Sequence, residues 1–214
     1  MGVILAAGES RRLGTCKALV RLGEDPESTP LARLLVAARH LGARAGRSPL
    51  IVTGAQHEEI ATHLAWLAER DPDLLGPSGP ELVPNPRWRE GRTGSVQRAV
   101  EARPGCDLCL APVDVPRVPG EVFRGLARSW LEAGAPARGW LAPLREGARG
   151  RRFGHPVVAG RELLAELLAW PPERPLRALR AGARPLLALP VATDAVLEDL
   201  DGPADLAQMR RRPR

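Results

Sequence analysis

The sequence predicts a three-layer α/β fold built on a doubly wound, mostly parallel sheet. Three observations carry that expectation. Short apolar runs alternate with stretches of helical periodicity along almost the whole chain, and the first run ends in a glycine-bearing loop. Charged and small polar residues that stand out cluster just after apolar runs, where ligands bind in open α/β sheets.

Gly2 to Ala6 is an apolar run of the kind that forms a buried parallel strand, broken at Gly8. Ser28 or Thr29 with Pro30 opens a helix through LARLLVAARHLGA, and SPLIVTG gives the second strand, ending in Gly54. QHEEIATHLAWLAERD is amphipathic helix, DPDLLGPSGPE is turn-rich and exposed, and ELVPN is a short strand. SVQRAVEA is a helix, introduced by Thr93, Gly94 and Ser95, and it leads into the strand CDLCLAP. Then come VPGEVFRGLARSWLEAG as helix, GWLAPL as strand, HPVVAG as strand and RELLAELLAW as helix. PPERPLRALRAG is short and helical, PLLALPVA a strand, and GPADLAQMRRR a closing helix.

A length of 214 residues, with 44% hydrophobic and 26% charged residues, suits one domain over 1–214. No apolar run approaches the roughly 18 residues that span a bilayer, and MGVILAAG lacks the basic start and length of a signal-peptide core. A cytoplasmic protein with no membrane partner is expected. The net charge of +6 suits polyanionic ligands, yet the cations are dispersed, aromatics are 3% and Tyr is absent, so nucleic acid is not an expected partner. The run MRRRPR is expected to be a solvated or frayed terminus. Cys106 and Cys109 lie in an apolar run without a second pair, which argues against a zinc site, and Cys16 reads as a small loop residue.

The segment VILAAGESRRLGTCKAL carries the chemistry. Lys17 is the only lysine among 31 Lys and Arg side chains. A compact ammonium on a flexible stem reaches a phosphate oxygen in a tight loop where a planar guanidinium fork would not fit the same way. Small residues at Gly8, Ser10 and Gly14 let backbone amides approach an anion, and Arg11 and Arg12 add charge. Five residues separate Gly8 from Gly14, and Lys17 follows Gly14 by three, so the spacing is not that of a Walker loop; no G-x-G-x-x-G is present.

The string Leu5-Ala6-Ala7-Gly8-x-Ser10-x-Arg12-x-Gly14-x-x-Lys17-x-Leu19 resembles, position for position, the signature of the MobA-like nucleotidyltransferase superfamily. VPNPRWREGRTGSVQRAV is similar to that family's Asn-Pro-x-Trp-x-x-Gly-x-x-x-Ser segment, LAPVDVPRV to its Asp-x-Pro metal motif, and LEDLDGPADLA to its closing acidic motif. Gly154-His155-Pro156 resembles the branch of molybdenum cofactor cytidylyltransferases. The resemblance implies a Rossmann-like, nucleotide-diphospho-sugar transferase-like fold. It also implies transfer of a nucleoside monophosphate from an NTP, CTP being favoured, to the phosphate of a molybdopterin-type acceptor with release of pyrophosphate. The implied cofactor is Mg²⁺, with Mn²⁺ as its substitute, and a molybdoenzyme client is a further implied partner.

The roles follow by position. The loop residues Leu5, Ala6, Ala7, Gly8, Ser10, Arg12, Gly14 and Lys17 hold the nucleotide, with Arg12 on the β and γ phosphates and Lys17 on charge growing at the α-phosphate. Asp114, ahead of Pro116, is a Mg²⁺ ligand or a turn residue capping the next helix. Asp201 is the second metal candidate by resemblance, Asp199 its competitor, and an N-cap role before GPADLAQM is the alternative for either. Asn85, the sole asparagine, either lines the nucleotide or acceptor cleft or makes the Asx turn that Asn-Pro favours. Thr93 and Ser95 contact base or ribose, or simply begin their helix. His155 donates a hydrogen bond to the acceptor or is structural, since a phosphate nucleophile is already ionised and needs no general base.

Two departures separate the chain from the cytidylyltransferase branch. PPERPLRALRAG replaces the Gly-Asp-x-Gly-Ala-Arg stretch, preserving at best Arg177, and DVP lacks the branch's Gln. Ala7 matches the cytidylyl form of the loop. The other readings are a guanylyltransferase, a sugar-phosphate nucleotidyltransferase, and a non-catalytic molybdenum-cofactor carrier or maturation factor.

Overall fold

The computed structural model describes residues 1–25, 28–42, 49–76, 79–148 and 150–211. The expected end of the first helix at Ala43, the start of the second strand at Ser48, part of the turn at 77–78 and the tail at 212–214 lie outside the described residues.

Strand β1 (Gly2–Ala6) is flanked by β2 (Leu50–Thr53) and β4 (Leu108–Pro112), both parallel to it, and β3 (Glu81–Pro84) adds parallel to β2. Beyond β4 lies β7 (Val157–Ala159), antiparallel to β4 and to β5 (Trp140–Gly147). Strand β8 (Leu186–Val191) pairs parallel with β5. The order β3-β2-β1-β4-β7-β5-β6, with β6 spanning Gly150–Phe153 and β8 paired to β5 off this path, is a mostly parallel eight-stranded sheet.

Alternation along the strands fills two layers of helices. In β1, Ile4 and Ala6 join the cluster under α1 (Pro30–Gly42), α2 (His57–Arg70) and α5 (Gly120–Glu132), whereas Val3 and Leu5 join the cluster under α4 (Arg92–Ala102) and α6 (Arg161–Ala165). Fully buried Leu, Ile and Phe side chains such as Leu31, Ile51, Leu110 and Phe123 each stabilise the fold by about 1.5–3 kcal/mol. Thr29 caps α1, its Oγ1 accepting from the Ala32 amide at 3.2 Å ahead of Pro30. No helix among the described residues is long and apolar enough to cross a membrane.

The structure differs from the sequence expectations in four places. The turn-rich segment holds a short helix, α3 (Pro72–Leu75), because Asp71 caps it by accepting from the Leu74 amide at 3.0 Å. Strand β5 runs on to Gly147 and folds back as a hairpin with β6 (Gly150–Phe153), an arginine-rich, exposed segment with no apolar alternation to announce it. The helix expected over RELLAELLAW tightens into a 3-10 turn from Glu166 to Ala169. The closing helix α7 (Pro203–Arg211) takes in Met209 to Arg211, the start of the run expected to fray. Met209 is buried in a small cluster with Val20, Leu22 and Leu200, and its carbonyl accepts from Arg117 at 3.1 Å.

The order reverses at β1, which connects onward to β2 on one side and neighbours β4 on the other. In register Leu5 faces Pro112, and the Val113 amide donates to Leu5 O at 3.1 Å. The loop after β1 and the segment bearing Asp114 therefore emerge side by side at this switch point.

Candidate active site

The loop after β1 closes on Ser10. Ser10 takes a left-handed conformation (φ 57°), its carbonyl accepts from the amides of Leu13 and Gly14 at 3.0 and 3.2 Å, and Gly14 follows with φ 70°. The Ser10 hydroxyl accepts from the Lys17 amide at 3.0 Å, which turns the chain into a 3-10 turn, Lys17–Leu19. Cys16 and Ala18, buried on either side, anchor that turn in the core, so the Lys17 side chain, 14% exposed, is held at a fixed spot. Burial pushes the Cys16 thiol up to about 11, which leaves a small packing residue and no nucleophile.

A cleft of about 290 Å³ opens above this loop, walled by Leu5, Ala7, Gly8, Ser10, Arg12, Lys17, Trp88, Gly91, Arg92, Ser95, Pro112, Val113, Asp114 and Asp201. Lys17 Nζ and Arg12 Nη2 lie 3.4 and 3.2 Å from Asp201 Oδ1, and Arg92 Nη2 lies 3.5 Å from Asp114 Oδ2. The Leu200 amide donates to Asp114 O at 2.6 Å, tying the two acidic segments together. The capping duty ahead of α7 falls to Asp205, whose Oδ2 accepts from the Asp201 and Gly202 amides at 2.9 and 2.8 Å; Asp201 is left facing the cations. Asp114 stands well before α5 and caps nothing there. The carboxyl of Asp199 is raised by burial and then by the neighbouring charges of Asp114 and Asp201, but Asp199 is not on the cleft wall.

No group of three or more His, Cys, Asp or Glu side chains among the described residues is arranged for a metal. Two carboxylates lining one cleft are nevertheless the kind of donor set that Mg²⁺ or Mn²⁺, completing its shell with phosphate oxygens and water, takes in triphosphate sites. Asp114 and Asp201 fit such an ion.

Other candidates stand elsewhere. Ala6 points into the core on the opposite face from Leu5 and Ala7, and Gly14 serves the turn. Asn85, 3% exposed, is off the cleft wall: its Oδ1 accepts from the Arg87 amide at 3.0 Å, an Asx turn, while its Nδ2 donates to Ser95 Oγ at 3.1 Å. It orients a cleft residue. Thr93 is likewise turned away, donating from Oγ1 to Arg174 O at 2.5 Å. Arg11 pairs with Glu9 at 2.6 Å outside the cleft, and Arg177 is exposed on the 3-10 turn Leu176–Gly182. His155 lies behind the wall. Its Nδ1 is buried without a hydrogen-bond partner, and its pKa is lowered by burial, with Asp114 opposing and Arg92 adding to the effect. Gly154 before it has no room for a side chain, since a Cβ would meet Val196 O at 2.3 Å.

Sequence reasoning missed Arg92. Its signal was present: an arginine opening the helix that follows Gly91, within the segment whose Trp, Gly and Ser carry the resemblance. Gly91 itself is demanded by a φ of 142° and by Pro172 O, which a Cβ would meet at 2.5 Å.

The fold is shared with solved structures. Rv0371c from Mycobacterium tuberculosis H37Rv superposes with a TM-score of 0.71 at 24% identity over 99% of this chain and 98% of its own, and it has also been solved as a manganese complex. A nucleotidyl transferase from Methanothermobacter matches at 0.67 and 22% over 98% of this chain and 94% of its own. Molybdopterin-guanine dinucleotide biosynthesis protein A from Archaeoglobus fulgidus matches at 0.63 and 18% over 98% and 97%. No curated protein sequence matches. The MobA-like NTP transferase domain matches residues 2–189, nearly the whole of a chain whose loop, cleft and sheet order are those described above, and the protein belongs to that family of nucleotidyltransferases.

Proposed function

We propose that this chain, as one domain over 1–214, transfers a nucleoside monophosphate from CTP to the phosphate of a molybdopterin-type acceptor. The observation that carries the reading is the convergence of Lys17 and Arg12 on Asp201 and of Arg92 on Asp114, around a cleft floored by Gly8. An acceptor phosphate oxygen attacks the α-phosphorus in line, and the bond to the bridging oxygen breaks as pyrophosphate leaves. The loop amides and Arg12 hold the β and γ phosphates. Lys17 neutralises charge gathering on the α-phosphate and leaving group, a role of fixed electrostatics with no covalent intermediate. Mg²⁺ or Mn²⁺, held by Asp114 and Asp201, would supply charge neutralisation of the triphosphate.

Support for the acceptor comes from Gly154-His155-Pro156 and from the fold shared with the molybdopterin-guanine dinucleotide biosynthesis protein of Archaeoglobus fulgidus; support for cytosine comes from Ala7. A molybdoenzyme receiving the product in the cytoplasm completes the reading. The test is pyrophosphate release with each of the four NTPs, Mg²⁺ and molybdopterin. A pocket that hydrogen-bonds one base rejects another that leaves its polar groups unpaired, so kcat/KM for CTP should exceed that for GTP by orders of magnitude. Preference for GTP would reassign the base, and silence with all four would favour a carrier.

A further inference from the structure

Arg92 is a residue of the cleft that the family reading does not use. It is the first residue of α4, its backbone pinned by the constrained Gly91, and its side chain is 57% exposed over the cleft with Nη2 3.5 Å from Asp114 Oδ2. Asp114 is the carboxylate that reading assigns to the divalent ion. The site therefore places a guanidinium beside a metal ligand. A divalent ion on Asp114 would bring two positive charges within a few ångström of a third and would compete with the guanidinium for the same carboxylate charge. One must yield, and the half-exposed arginine has the freedom to move.

The surrounding charge explains why a cation is kept there. Asp114 and Asp201 both line the cleft, and the Leu200 amide donating to Asp114 O ties their segments together. Lys17 and Arg12 both sit on Asp201. Arg92 performs the same service at Asp114.

We propose that Arg92 is a resident counter-cation of Asp114 that a divalent ion must displace. The consequence is selective: a bare cation competes with the guanidinium and binds weakly, whereas a cation arriving on a triphosphate brings anionic oxygens that give Arg92, Arg12 and Lys17 new partners. Arg92 is a positioning residue that couples metal entry to nucleotide entry. This rests on the nucleotidyl-transfer reading only in taking Asp114 as the metal ligand.

The test is Mn²⁺ binding to the nucleotide-free protein, followed by electron paramagnetic resonance. Arg92→Met should bind Mn²⁺ roughly two- to fivefold more tightly than wild type, the scale of one partly exposed ion pair, and Arg92→Lys should fall between. In an Asp114→Asn background the same Arg92→Met change should have no effect, the mark of a direct coupling. A merely structural Arg92 would not tighten metal binding on removal. Unchanged or weaker Mn²⁺ affinity in Arg92→Met, with binding still weakened in Asp114→Asn, overturns the role of Arg92 and leaves the metal assignment standing. Mn²⁺ binding that ignores Asp114→Asn overturns both.

Discussion

Lys17 Nζ stands 3.4 Å from Asp201 Oδ1, an ion pair across 184 residues that joins the loop after β1 to the segment before α7. The pair is formed by a side chain only 14% exposed, beside an Asp that Arg12 also reaches. Asp201 thus aims the ammonium at the cleft before any nucleotide arrives, and the buried neighbours Cys16 and Ala18 keep its backbone from drifting.

That arrangement has little tolerance for a longer, planar cation. Lys17→Arg should leave the fold intact, with an unchanged melting temperature, while turnover falls by about 100-fold or more, the scale seen when one preorganised transition-state stabiliser is lost. Wild-type turnover in Lys17→Arg would show that any cation suffices at this position.

Gly8 tests the phosphate-cradle reading with the opposite stability sign. A Cβ there meets nothing within 4 Å, its φ is not left-handed, and it lines the cleft. Nothing among the described residues requires glycine there. Gly8→Ala should therefore stabilise the fold by about 0.4–1 kcal/mol through the unfolded chain, while kcat/KM for the NTP falls by roughly ten- to 100-fold as a methyl enters the phosphate space. Thermal melting and steady-state kinetics on one preparation separate the two effects; a variant equally active would place the triphosphate elsewhere.

Gln97 carries a purely structural prediction. This side chain, 8% exposed on α4, donates from Nε2 to Leu167 O at 2.6 Å and to Trp170 O at 2.8 Å, fastening the end of the helix that leads into the segment departing from the cytidylyltransferase branch. Gln97→Leu keeps the volume, strands the Trp170 carbonyl and leaves Leu167 O with the Trp170 amide alone at 2.9 Å, which should cost about 1–3 kcal/mol in urea unfolding. A loss well below that range would mean that water takes over those carbonyls.

What was legible in the sequence was what is local. The strand, the glycine loop and Lys17 lie within 16 residues, and the alternation of apolar runs follows from side-chain direction in strands, so order and layers could be read. Ion pairs between Arg92 and Asp114, or Lys17 and Asp201, join distant segments, and no spacing rule encodes them. Asn85 shows the reverse limit: the residue type marked the cleft's neighbourhood, but its own amide is committed to Arg87 and Ser95. The hairpin of β6 was invisible because its exposed arginines carry no periodicity.

His63 on α2 supplies the pH prediction. Its ring stacks on Trp66 with centroids 5.5 Å apart, its Nε2 is buried without a hydrogen-bond partner, and burial lowers its pKa from the ordinary histidine value. The folded state thus resists a proton that the unfolded chain accepts near pH 6.5. Stability from this group is present above about pH 6.5 and is lost as pH falls through the lowered folded value. His155 and His40 are lowered as well, chiefly by burial, and act in the same direction. The melting temperature should fall between pH 7 and pH 5. His63→Phe keeps a ring against Trp66 and removes the titration, so its melting temperature should fall less over that range. Parallel curves for the two proteins would show that the orphaned nitrogen finds a partner in solution and that the acid loss arises at the other histidines.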